Sequence, residues 1–138
     1  MYSHKLLGLG MLLLIFGCLQ NEAVQVDETD TIPENEMHSW WVDAVEGNTI
    51  RVNMTVTGGG PVDVFFMDSN GYADYNYNLG GGVQDFIVED QEIGVKRYNS
   101  EIKIATAGRY YFVIDNTGAT EGTEPNGEVF VKIKISKK

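Results

Sequence analysis

The sequence predicts an all-β fold, an antiparallel β-sandwich of about seven or eight strands preceded by an N-terminal hydrophobic signal segment. Three observations lead there. From about Trp40 the apolar residues recur with a period of two, the mark of strands buried on one face. Sixteen glycines against three prolines, with abundant Val, Ile, Tyr and Phe, favour strands joined by tight turns over helices. Turn-forming clusters such as GN, GGGP and DSNG divide the chain at short intervals. The 138 residues, 43% of them hydrophobic, suffice for one packed core, and neither a repeat nor a heptad pattern is apparent.

The N-terminus comes first. Residues 6–19 are apolar apart from small glycines, about 14 residues where a bilayer-spanning helix takes roughly 20. Lys5 precedes this run, no acid occurs before Glu22, and the run closes on a small residue, which is the layout of a secretory signal. Ile15, Phe16, Gly17 and Cys18 resemble the lipobox of prokaryotic lipoproteins, which implies cleavage after residue 17 and a lipid on the Cys18 thiol. An uncut membrane anchor or an ordinary secretory signal with a chance cysteine are the alternatives. The expected organisation is a signal peptide over residues 1–17, an acidic flexible tether over 18–37 and the sandwich over 38–138. Residues 21–36 carry six acids, no base and no run of large apolar side chains, so they read as a solvated spacer that holds the domain off the membrane.

Within the domain, Ile50, Val52, Met54 and Val56 share one face of a strand, and Gly47–Asn48 before it makes residues 40–45 its expected hairpin partner. Residues 62–67 are apolar on both faces except for Asp63, the pattern of a central strand covered on both sides. A turn is expected at residues 68–71, then a long loop over YADYNYNLGGG with a short irregular strand near residues 83–88. Residues 101–105 alternate weakly, RYYFVID is a strong strand, and GEVFVKIKI closes the domain with Val129, Val131, Ile133 and Ile135 inward. Its outward Lys132 and Lys134 suit an exposed sheet edge.

The stretches WWVDAVEGNTIRVNMTVTG, VDVFFMDSNGY, AGRYYFVIDNTG and VFVKIKI together resemble the Golgi dynamics (GOLD) domain and, less closely, the pre-peptidase C-terminal domain. The shared pattern is a Gly-x-Tyr step entering a strand that ends in Asp-Asn, matched by Gly108, Tyr110, Asp115 and Asn116. The resemblance covers residues 38–135 and implies a GOLD-like or jelly-roll-like sandwich acting as a non-catalytic binding or accessory module. Cargo receptors with this domain also carry paired cysteines, a coiled coil and a C-terminal membrane helix, which do not occur in this chain.

Composition narrows the chemistry. Ten basic against 20 acidic residues give a formal charge of minus 10, which repels nucleic acid phosphates, so no nucleic acid partner is expected. The two histidines are His4, lost with the signal, and His38 at the end of the tether, and Cys18 is assigned to lipid. A Ser or Cys triad or a zinc site therefore lacks its parts, and no catalytic residue is expected. The cluster Asp85, Glu89, Asp90 and Glu92 leaves paired-carboxylate chemistry as a remote reading. Asp68, Asn70 and Asp74 around Gly71 offer hard oxygen ligands for calcium, although DSNG is equally a self-bonded β-turn. Tyr72, Tyr75 and Tyr77, interleaved with Asp and Asn, mix flat faces with hydrogen-bonding groups as ligand surfaces do, or fold back over the sandwich end. Trp40 and Trp41 must point to opposite faces of a strand, leaving Trp41 as a fourth candidate contact. Asn53 heads a glycosylation sequon on the wet face.

The expectation is a lipid-anchored, exported β-sandwich on the outer face of the cell membrane that binds a protein or glycan partner without catalysis. The alternatives are a structural subunit of a surface assembly and a calcium-dependent accessory module.

Overall fold

The computed structural model describes residues 22–80, 88–119 and 122–138. The signal segment, Cys18, Asp85 and most of the short strand expected near residues 83–88 lie outside these residues. Among the described residues, eight strands form two four-stranded antiparallel sheets packed face to face. They are β1 (Ala23–Ile32), β2 (Met37–Ala44), β3 (Thr49–Gly58), β4 (Val62–Asp68), β5 (Asp90–Val95), β6 (Arg97–Lys103), β7 (Gly108–Asp115) and β8 (Val129–Lys137). Sheet one runs β1-β8-β3-β6 and sheet two β2-β7-β4-β5. Among the described residues a helix, α1 (Ser69–Leu79), follows β4.

The period-two residues fill the space between the sheets. Ile50, Val52 and Met54 of β3 and Val129, Val131, Ile133 and Ile135 of β8 meet Val42, Val64, Phe66, Phe112 and Ile114 of sheet two in one buried cluster. Aromatic rings lock the two layers, with Tyr98 stacked on Phe112 at 5.5 Å between centroids.

Four expectations require correction. The segment expected to be a tether supplies β1, which pairs with β8 from Ala23 opposite Lys137 to Ile32 opposite Val129. Its acids have partners the composition alone does not reveal. Asp27 lies opposite Lys134, while Asp30 and Glu28, at the same pleat positions as buried Ile32, reach across the open side of the sandwich to β2. There Asp30 meets His38 Nδ1 at 2.6 Å, and the Trp40 indole N–H donates to Glu28.

β2 is not the hairpin partner of β3. It pairs with β7, because both sides of β3 are occupied by β8 and β6, and the turn at residues 45–48 crosses from one sheet to the other. Gly47 takes a positive φ of 91° in that crossing, and the Asn48 side chain accepts from Val45 N. β8, in turn, is an interior strand because β1 covers the side its lysines were expected to guard.

Finally, the expected turn and tyrosine loop are α1. Asp68 accepts from Gly71 N at 2.8 Å, the same local bond that an Asx turn makes, and here it caps a helix. Asn, Gly and Tyr are weak helix formers, so burial sustains the helix. Tyr72, Tyr75 and Leu79, at i, i+3 and i+7, pack with Phe65, Met67 and Val113 on the outer face of sheet two. This is why β4 is apolar on both faces: one faces the sandwich interior and the other lies under α1.

Candidate functional site

The outer face of sheet two is built from alternate residues of three strands. Along β2 these are Met37, Ser39, Trp41 and Asp43; their cross-strand partners on β7 are Asp115, Val113, Tyr111 and Arg109. α1 covers the middle and the β4 side of this face and leaves the β2 side open. Tyr72 lies flat on Tyr111, with centroids 3.9 Å apart and planes within 8° of each other, and its hydroxyl bonds Ser39 Oγ at 2.8 Å. Trp41, directly opposite Tyr111, continues the strip outward and is 52% exposed. The Arg109 guanidinium sits 3.7 Å from the indole centroid and is held there from the other side by Asp43, which accepts from Nε at 2.9 Å and from Nη2 at 3.3 Å. The hydrogen bond from Arg109 holds the Asp43 carboxyl below the usual carboxylate range, and the same bond raises Arg109. Each group thus favours the charged form of the other. The result is a continuous row, Trp41, Tyr111 and Tyr72, flanked by an ion pair.

Of the four expected contact residues, the structure brings two into this row. Tyr75 is fully buried: its ring packs 5.7 Å from that of Phe65 and its hydroxyl donates to Asp115 Oδ2 at 2.7 Å, so it belongs to the core and touches no ligand. Burial first, then the neighbouring Asp115 charge, pushes its phenol far above the ordinary value. Tyr77 is exposed, but it is five positions along the helix from Tyr72, about 140° around the axis, and stands apart from the row. Arg109, Tyr111, Asp43 and Ser39 complete the site and were missed. Their outward direction is readable in the alternation of RYYFVID and SWWVDA, but their meeting depends on β2 pairing with β7.

The metal candidates are dispersed. Asp68 is engaged as the helix cap, and Asn70 and Asp74 lie in the following turns of α1. Among the described residues no group of three or more His, Cys, Asp or Glu side chains is placed to share an ion. Asp90 of the acidic cluster accepts from the Tyr98 and Ser100 hydroxyls at 2.6 and 2.7 Å. Asn53 is half-buried on the outer face of sheet one between Asn99 and Lys134.

The residues of the GOLD-like pattern are structural. Tyr110 is buried and donates to Thr106 O at 2.6 Å. Asn116 donates to the Ile32, Pro33 and Gly127 carbonyls, tying the β1–β2 and β7–β8 connections together at one end of the sandwich. Asp115 accepts from Thr117 N and Oγ1, and its cross-strand neighbour Asp63 accepts from Gly94 N and from Thr123 N and Oγ1.

The fold defines the class: the chain is an all-β sandwich. No family of known proteins matches the sequence, and no curated protein does. Among solved structures it is similar to PliG of Aeromonas hydrophila, described as a periplasmic inhibitor of g-type lysozyme. The TM-score is 0.52 at 12% identity, over 84% of this chain and 88% of that one. A mutant of the Escherichia coli PliG gives 0.47 at 12% over 86% and 91%. The low-affinity xylan-binding module CBM86 of Roseburia intestinalis gives 0.40 at 12% over 83% and 87%. At these identities the likeness to the Aeromonas protein supports the sandwich architecture.

Proposed function

We propose that this chain is a non-catalytic binding domain that works outside the cytoplasm, held to the membrane by a lipid on Cys18, and that it engages a protein partner through the row Trp41, Tyr111 and Tyr72. One observation carries the reading: an indole half exposed to water yet fixed in place by a clamped guanidinium. Fixing the ring beforehand lowers the entropy cost of burying it against a partner, and Trp, Tyr and Arg are the residues that dominate protein interfaces. The side of β2 away from β7, unpaired among the described residues, meets the row at its Trp41 end and offers backbone groups to an extended segment of that partner.

A glycan is the weaker reading, because a sugar ring needs an open aromatic face. Arg109 occupies one face of Trp41, and Tyr72 and Tyr111 cover each other. An enzyme would need a nucleophile beside its base. His38 bonds Asp30 on the inner side of β2, whereas the nearby Ser39 faces outward and bonds Tyr72. The assembly reading rested on strands apolar on both faces, and the outer face of β4 is already covered by α1. Calcium dependence retains Asn70 and Asp74 on one side of α1, and calorimetry with calcium tests it.

The Aeromonas protein of similar fold is described as a periplasmic inhibitor of an enzyme, which supports an extracytoplasmic, protein-directed role for this architecture. A g-type lysozyme is thus the first partner to try. Calorimetric titration of the purified chain with that lysozyme, with xylo-oligosaccharides as the glycan arm, is expected to show binding to the protein alone. Binding should be lost in Trp41→Ala. Binding to the oligosaccharide alone, or lysozyme binding unchanged in Trp41→Ala, would count against the reading.

A further inference from the structure

β1 begins at Ala23, so only residues 19–22 separate Cys18 from the sandwich. The five Cα-to-Cα steps involved span at most ~18 Å, whereas the ten residues of β3 alone rise ~33 Å. A lipid on Cys18 therefore holds the sandwich by one end rather than on a free leash. The register identifies that end. Ala23 lies opposite Lys137, Ile50 lies opposite Lys137 on the other side, and Thr49 lies opposite Lys103. The turn at residues 45–48 is joined to this end by the Gly47 N to Ile104 O bond and by the Thr49–Lys138 backbone pair.

We propose that this end is a membrane-docking surface, in which Val45 and Val24 seat among the headgroups and Lys103, Lys137 and Lys138 meet the phosphates of anionic lipids. The inference rests on the lipid reading of Cys18. Val45 at the tip of the turn is 60% exposed and Val24 is 53% exposed, large apolar side chains at the place nearest the anchor. Of the acids here, Glu101 and Glu22 share Arg51, Asp43 bonds Arg109, and Asp68 and Glu89 lie with Lys103 around one depression. Glu46 opposes the three lysines, one of which, Lys137, also donates to Asp43 O at 2.8 Å. The opposite end carries Glu34, Glu36, Glu124 and Glu128 against Lys96 and Arg97. Without residues 1–17 the chain loses Lys5 and no acid, and its nine basic and 20 acidic groups make minus 11. Of the two ends, an anionic leaflet repels the acidic one more strongly, and the short reach from Cys18 selects the other. Docked this way, Trp41 stands four residues up β2 from Val45, ~13 Å above the surface, on a face that runs away from the membrane and is open to a partner.

The test uses the full protein purified from membranes and placed in vesicles of zwitterionic lipid with a third anionic lipid. A lipid on Cys18 leaves an introduced cysteine as the sole thiol, so Val45→Cys and Glu128→Cys carry an environment-sensitive fluorophore, and the vesicles carry headgroup-level quencher lipids. Mass spectrometry reads Cys18 in the same sample. The expected result is a lipidated chain whose label at 45 is quenched at least threefold more than the label at 128. Lys103→Glu with Lys138→Glu should bring the two labels close together. A lipidated chain with equal quenching at both sites, or more at 128, overturns the docking surface and leaves the lipid reading standing. An unlipidated Cys18 overturns both.

Discussion

Trp41 and Tyr75 are both aromatic side chains in stretches rich in polar neighbours, and their fates are set by what lies opposite them. Trp41 faces a strand residue and a cation at the open side of a sheet, whereas Tyr75 points between α1 and sheet two at a carboxylate. Trp41→Ala should abolish partner binding, a loss of about 2 kcal/mol or more, and leave thermal stability within about 0.5 kcal/mol because the ring is half in water. Binding and melting measured on the same sample check both. Tyr75→Phe should do the reverse. It leaves a buried Asp115 oxygen short of a donor, costing about 1–3 kcal/mol in urea unfolding, and leaves binding intact. The pH dependence has a definite sign. The Tyr75 phenol is raised in the folded state above its ordinary value of 10.0, so above that pH the unfolded chain releases a proton that the native chain keeps. Its contribution is therefore fully present below pH 10 and declines as pH rises. Tyr75→Phe should flatten the alkaline fall in stability, which unfolding midpoints between pH 9 and 11 measure.

At the scale of elements, what was legible followed from side-chain period and what was not followed from pairing. β3, β4, β7 and β8 show their buried faces in the alternation of the sequence, and the inward set Val129, Val131, Ile133 and Ile135 is buried as expected. β1 was hidden because its inward Asp30 and Glu28 are satisfied by His38 and Trp40 of a different sheet, a partnership no local window contains. α1 was hidden because Asp68 and Gly71 form the same bond in a turn and in a helix cap, and only the packing of Tyr72, Tyr75 and Leu79 decides between them. Two outcomes follow. Ile32→Ala, in the stretch read as tether, should cost about 2–5 kcal/mol, since the side chain is fully buried; no change in the urea midpoint would mean that β1 is not held in solution. Asp68→Ala should cost about 1 kcal/mol through loss of the cap, and hydrogen exchange should localise the loosening to residues 69–79.

The whole molecule is a sandwich with two unlike ends and two unlike faces. One end gathers Lys103, Lys137 and Lys138 near the start of β1, and the other gathers acids and the loops tied down by Asp63, Asp115 and Asn116. The close approach at Gly122, where an added Cβ would lie 1.6 Å from Asp63 Oδ2, shows how tightly the 122–127 connection is drawn onto sheet two. The outer face of sheet one is a plain strand surface. That of sheet two is half covered by α1, and the uncovered half carries the Trp41 row. The candidate site was thus partly legible: Trp41 and Tyr72 belong to it, while Tyr111, Arg109 and Asp43 join it only through the β2–β7 register.

The most direct test of the central claim is site-specific photocrosslinking of the full chain in intact cells, with the reactive group placed at Asn76, exposed one helical turn from Tyr72, in one variant and at Lys134, on the outer face of sheet one, in the other. The account expects a discrete adduct to a different protein from position 76, lost when Trp41→Ala is added, and none from position 134. Adducts only from position 134, or only between copies of the chain itself, would contradict it.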